Sequence, residues 1–161
     1  MRGGALPPAI LFAALGLALA TAKPRVQAAG LVVLGVTLAT FWPVDLPGAW
    51  LEPAFLGCWV SAAITSAVVH LRSGLGVTWA VVLSLNAALW SSSVVALSGH
   101  STDVLRALPA VLVLLPASWL IARRALIAVK VSSSWLMAIA LLAAVLPFLP
   151  VTPGYLPDHL E

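Results

Sequence analysis

Charged side chains are scarce in this sequence. Of its 161 residues, eight are Lys or Arg and five are Asp or Glu, whereas 62% are apolar. A water-soluble domain carries about a quarter of its residues as charges, so this chain has too few to cover a surface that faces water. The composition excludes an ordinary soluble domain and predicts an integral membrane protein whose main partner is the lipid bilayer.

Cysteine is rare in this sequence, and long basic runs are missing. Because Cys58 is the only cysteine, the chain can form neither an internal disulfide nor a CxxC site. The longest basic run is Arg123-Arg124, so the net charge of +3 reflects a shortage of acids, and we expect no nucleic-acid partner. His and acidic residues show no ligand spacing for a metal or a haem group, so we expect no metal and no cofactor.

Six apolar segments are present, each about as long as a bilayer-spanning helix. They lack the alternating apolar and polar pattern of barrel strands, so helices are expected. We predict an all-α, polytopic membrane protein with six transmembrane helices, arranged as three hairpins within a single domain over residues 1–161. The predicted spans one to six cover residues 5–22, 26–43, 54–71, 76–97, 105–122 and 131–149.

The first span has features of a secretory signal. Arg2 precedes an apolar run, and Ala20-Thr21-Ala22 has the small side chains of a cleavage site. Cleavage would leave Lys23 and Arg25 on the exported side just before the second span, against the usual charge bias. We therefore interpret this segment as an uncleaved first span.

The distribution of basic residues predicts the orientation. Two basic residues, Arg2 and Arg106, fall on the side that also holds all five acids, and the other six follow the odd-numbered spans. Basic turns stay in the cytoplasm, so both termini are expected on the outer side of a plasma (inner) membrane. The turns predicted to be cytoplasmic carry Lys23, Arg25, Arg72, Arg123, Arg124 and Lys130.

A short pattern recurs at the start of the odd-numbered spans. Pro8, Pro53 and Pro109 each open a Pro-Ala-x-Leu sequence. A triplicated hairpin would explain the recurrence. The alternative is that proline suits the first helical turn and that such tetrapeptides recur by chance in an Ala/Leu/Val-rich chain.

Spans three and four carry small residues at helical spacing. In lipid, small side chains let helix backbones approach, and hydroxyls bond between them, so these faces favour a tightly packed centre over a pore lining. The predicted packing residues are Gly57, Ser61, Ala88 and Ser92.

Asn86 is the most polar side chain at bilayer depth, so it needs a partner. It is either a substrate contact, lined by Ser84, Thr65 and the neighbouring Ser66, or interhelical glue, and glue is favoured. Pro116 interrupts span five and can mark a transport site, although most such breaks are simply accommodated by neighbouring helices.

A polar cluster is expected at the outer face, where His100, Asp103 and Arg106 follow Ser91-Ser92-Ser93. Serine, histidine and aspartate together suggest hydrolytic chemistry, but no nucleophile-elbow motif is present. Ser101-Thr102-Asp103 is typical of a helix N-terminus, and Asp103 with Arg106 can form a one-turn ion pair, so we favour capping and assign no catalytic residue.

These features favour a small, non-enzymatic, multi-pass membrane protein. Contact faces are present while charges in the middle of the spans, which ion-coupled carriers usually need, are missing. The first hypothesis is therefore an accessory or scaffold subunit that associates with other membrane proteins or with itself. A channel or carrier for a small neutral or weakly polar solute is the second hypothesis, and an intramembrane enzyme is the third.

Overall fold

The computed structural model describes residues 5–41, 46–71, 74–98, 100 and 102–149. Within these ranges the chain is helical apart from short connections, and it contains no β-strand. The predicted all-α class is therefore confirmed. The α-helices are α1 (Leu6–Ala20), α2 (Pro24–Thr40), α3 (Leu51–Val68), α4 (Val77–Ser98), α5 (Thr102–Ala107), α6 (Leu114–Ala122) and α7 (Leu126–Val145).

Three 3₁₀ segments extend these helices. Gly48–Trp50 leads into α3, Leu108–Val113 joins α5 to α6, and Leu146–Phe148 follows α7. Proline accounts for the tightened turn after α7, because Pro147 has no N–H to donate to the carbonyl one helical turn earlier.

Four helical segments are long and apolar enough to cross a membrane, namely Gly48–Val68, Val77–Ser98, Thr102–Ala122 and Leu126–Phe148. α1 and α2 are apolar but have 15 and 17 residues, somewhat below the roughly 20 of a typical span. Within the described ranges the chain thus has several helices compatible with a membrane protein, four of them long enough for a span, and six crossings stay a prediction.

The start of the last segment differs from the prediction. α7 begins at Leu126 rather than at residue 131, so Lys130 lies within the helix and not in the preceding turn. A single lysine does not end a helix whose neighbours are apolar, because its long stem can carry the ammonium group towards water. Several charges used in the orientation argument lie outside the described residues: Arg2, Asp45, Arg72, Asp158 and Glu161.

α1 occupies the centre of the bundle, in place of the expected core of α3 and α4. It contacts α3, α4, α6 and α7 as well as the 3₁₀ segment Leu108–Val113. Its side chains are buried around most of the helix, with Leu11, Phe12, Leu15 and Leu19 fully inaccessible. A helix that is apolar all round is suited to such a position.

The remaining helices pack mainly on partners that are distant in sequence. α2 lies chiefly on α4, and α7 lies chiefly on α3, whereas α1 with α2 and α6 with α7 make few contacts. Only α3 and α4, among consecutive long helices, pack closely on each other. The bundle is therefore held by cross-packing rather than by three compact hairpins.

The interruption predicted at Pro116 lies earlier in the chain, in the 3₁₀ segment Leu108–Val113, whereas Pro116 itself lies in α6. Here the Val111 carbonyl oxygen lies 2.6 Å from where a Cβ on Gly16 would stand. The absence of a side chain at Gly16 thus lets the backbone of this segment reach α1. Pro109 lies inside the Thr102–Ala122 segment, whereas Pro8 and Pro53 lie in first helical turns, so the three prolines of the repeated pattern are not structurally equivalent.

Candidate functional site

Asn86 is joined to α3 by a side-chain hydrogen bond. The Ser61 hydroxyl donates to the Asn86 side-chain oxygen at 3.3 Å. Asn86 is half-buried, so part of its amide remains accessible. Hydrogen bonds of this kind between polar side chains stabilise helix–helix association in lipid, each by about 1 kcal/mol.

The small residues predicted to pack are used inside the chain. A side chain on Gly57 would overlap the ring of Trp90, so the indole of α4 lies directly against the α3 backbone. Ala88 is fully buried and Ser92 nearly so. These positions form internal contacts of the bundle and are not free to bind another chain.

Ser84 does not lie on the same side of α4 as Asn86. Its hydroxyl oxygen is 3.2 Å from where a Cβ on Gly30 would stand, which places it against α2. Two residues along a helix correspond to a rotation of about 200°, so Ser84 and Asn86 lie against different neighbours. The predicted constellation of Asn86 with Ser84 is therefore divided between two helix interfaces.

Thr65 and Ser66 are fully buried in α3. Neither hydroxyl has a hydrogen-bond partner within the described part of the chain, and the same holds for Ser84. The Ser66 backbone carbonyl, however, accepts a 2.6 Å hydrogen bond from the hydroxyl of Ser133 on α7. Ser133 is the residue that ties α7 to α3, and sequence reasoning missed it because three consecutive serines gave no indication of which one faces inward.

At the other end of the bundle, Asp103 organises the start of α5. It accepts a hydrogen bond from the His100 backbone N–H at 3.0 Å and one from Arg106 at 3.1 Å. Arg106 is 73% exposed, so this ion pair contributes little to stability. The preceding serines make other contacts: Ser93 donates to the Leu89 carbonyl, and Ser91 is fully buried. These hydrogen bonds close a turn just before α5, whereas Ser101, which belongs to the predicted cap, lies outside the described residues.

The opposite end carries most of the described basic residues. The guanidinium of Arg123 lies 4.9 Å from the Trp119 ring centre, a cation–π contact that suits a membrane interface. Arg124 adopts a left-handed backbone conformation with φ of 61°, which ends α6. His70 Nε2 lies 3.3 Å from the Ser134 hydroxyl, which in turn donates to the Lys130 carbonyl.

A groove of about 520 Å³ separates the start of α3 from the end of α7. Its walls are mainly apolar and aromatic, and Glu52 supplies a carboxylate. No pattern in the sequence indicates this groove, because the groove depends on which α7 residues face α3. Ten residues line it, among them Glu52, Phe55, Trp59, Ala143, Ala144 and Phe148.

The described ranges contain no candidate metal site, since no three His, Cys, Asp or Glu side chains lie close enough there to share an ion. No protein-family model, curated protein or solved structure matches the chain.

Proposed function

We propose that this protein is a non-enzymatic accessory subunit of a larger membrane assembly, crossing the bilayer six times with its Arg123 turn in the cytoplasm and both termini outside. The observation that carries this proposal is a face of Gly, Ala and Val residues on α2 that no described part of the chain covers, which we call the Gly35 face. It consists of Ala28, Val32, Gly35, Val36 and Ala39, all of them exposed.

The Gly35 face contrasts with the other glycines inside helices. Gly16, Gly30 and Gly57 each lie against a neighbouring helix or segment, whereas Gly35 has no atom within 4 Å of its would-be Cβ. Glycine within a helix costs about 1 kcal/mol relative to alanine, and no contact within the described chain offsets that cost at Gly35. Glycine and alanine four residues apart are typical of faces that receive another transmembrane helix.

The shorter helices are compatible with six crossings. Most residues of α1 are buried against longer helical segments, so little of this helix has to match the thickness of the bilayer. α2 can be accommodated by local thinning of the bilayer, at a modest free-energy cost. The side-chain contacts of Asn86 and Ser133 join helices of this chain, which suits a packing role better than a catalytic one.

Affinity purification in a mild detergent tests the proposal. We expect the wild type to retain a discrete set of membrane proteins, or a second copy of itself, and Gly35→Leu to lose them. Ala138→Leu is the matched control, because Ala138 is exposed on α7, away from α2. A wild-type protein that purifies alone as a monodisperse monomer would contradict the proposal, as would equal retention by both variants.

A channel or carrier for a small neutral solute is the second candidate. The half-buried Asn86 and the buried hydroxyl of Thr65, which has no hydrogen-bond partner within the described part of the chain, support it. Uptake measured in proteoliposomes is expected to fall in Asn86→Leu if Asn86 contacts the solute. Unchanged uptake would remove Asn86 from any transport site.

A further inference from the structure

The groove between α3 and α7 has the size and lining of a ligand site. Its volume of about 520 Å³ falls within the range of roughly 300–1,000 Å³ that small-molecule pockets occupy. Such pockets combine mostly apolar walls with a few polar groups that fix orientation. Here the aromatic side chains of Phe55 and Trp59 provide the walls, and Glu52 provides the polar group.

The groove exists because the two helices present side chains of different size. α7 contributes Ala143 and Ala144, which are too small to fill the space opposite the rings of Phe55 and Trp59. α7 ends at Val145, and the following 3₁₀ turn places Phe148 along the edge. The result is an elongated apolar slot at one end of the bundle, running beside α3 from Glu52 to Trp59, or about 10 Å at 1.5 Å per residue.

The negative charge of Glu52 indicates which kind of molecule the groove can bind. Glu52 is exposed and is the only charged side chain among the described residues that line the groove. Within the described ranges it forms no ion pair, since the single salt bridge there joins Arg106 to Asp103. The carboxylate lies in the first turn of α3, next to a slot that suits an extended hydrocarbon chain.

We propose that this groove binds one acyl chain of a membrane lipid whose headgroup carries a primary amine, with the ammonium group at Glu52. The hydrocarbon chain lies against Phe55 and Trp59, and Ala143 leaves room for it. An anionic lipid is disfavoured, because its headgroup would approach a carboxylate with no basic side chain in the lining. This inference is independent of the Gly35 face and of the accessory role.

Photolabelling in lipid vesicles tests the inference. The probes are phosphatidylethanolamine and phosphatidylglycerol, each with a diazirine in one acyl chain, and labelled peptides are located by mass spectrometry. We expect phosphatidylethanolamine to label the 51–59 and 143–148 peptides about two- to fivefold more than phosphatidylglycerol, the ratio that an exposed ion pair produces. Glu52→Gln should remove this difference without lowering the labelling by phosphatidylglycerol.

Filling the groove separates the chain-binding claim from the headgroup claim. Ala143→Trp should remove most groove labelling by both lipids, whereas Leu142→Trp, at a position 66% exposed and outside the groove lining, should leave it intact. Ala143→Leu replaces Ala143→Trp if the larger side chain prevents folding. Equal labelling of the wild type by both lipids would overturn the amine preference, and labelling that persists in the filled variant would overturn the groove as the site.

Discussion

Individual glycines differ in what surrounds them, and this difference gives a direct prediction. Gly16→Ala places a methyl group against the Val111 carbonyl oxygen, and a backbone atom cannot rotate away as a side chain can. We expect a loss of about 1–3 kcal/mol, as in overpacked cores. Gly35→Ala adds a methyl group to open space and should be neutral or stabilise α2 by up to about 1 kcal/mol. Thermal unfolding in detergent measures both, and equal effects would contradict the close approach at Gly16.

Adjacent serines give a second matched pair. Ser133→Ala removes the donor to the Ser66 carbonyl, and we expect it to destabilise the protein by about 1 kcal/mol. Ser132→Ala changes an exposed hydroxyl on the same helix and should have no measurable effect. Unfolding of the two variants in the same detergent gives the comparison, and an equal loss in both would show that the Ser133 contact is not what holds α7.

The polar side chains of α4 and α7 show which contacts can be predicted from sequence and which cannot. The need of Asn86 for a partner follows from the cost of an unsatisfied amide in lipid, and the structure supplies the Ser61 hydroxyl. Ser84 was grouped with Asn86 because they are close in sequence, yet the helical rotation sends them to different neighbours. Which residue of a serine run faces inward depends on the packing of α7 against α3, which no local pattern encodes.

At the scale of elements, the central position of α1 gives a third prediction. Leu15 is fully buried in α1, whereas Leu105 on α5 is 64% exposed. Because lipid is as apolar as leucine, Leu15→Ala loses mainly packing contacts, and we expect about 1–2 kcal/mol rather than the 2–5 kcal/mol of a water-soluble core. Leu105→Ala should cost almost nothing. Reversible unfolding in mixed micelles measures both, and a larger effect at Leu105 would contradict the central position of α1.

The existence of the helices was predictable, but their arrangement was not. Apolar runs bounded by proline, glycine and charge are local signals, and each predicted segment coincides with a helical one. α1 has no polar face, so nothing in its own sequence indicates which neighbours it takes. The predicted start of α7 is too late because the prediction treats Lys130 as the end of a turn, although lysine is a good helix former.

The whole molecule carries a prediction about sidedness. Cys58 is fully buried, so Cys58→Ala provides a background for single reporter cysteines. In that background we expect an impermeant maleimide to label Gly48→Cys in intact cells. Ala125→Cys, in the turn between α6 and α7, should react only after the cells are permeabilised. The reverse pattern would contradict a cytoplasmic Arg123 turn.

The central helix comes before all of its neighbours in the chain. During biosynthesis α1 is therefore made ahead of every segment that later encloses it, and it resides in the membrane until α7 arrives. Because α1 is apolar on all sides, lipid hydrocarbon solvates this helix as well as the surrounding protein does, and the delay has no free-energy cost. Maturation of the bundle thus becomes a late wrapping event, and ribosomes that stop before α7 release a chain whose middle helix still faces lipid.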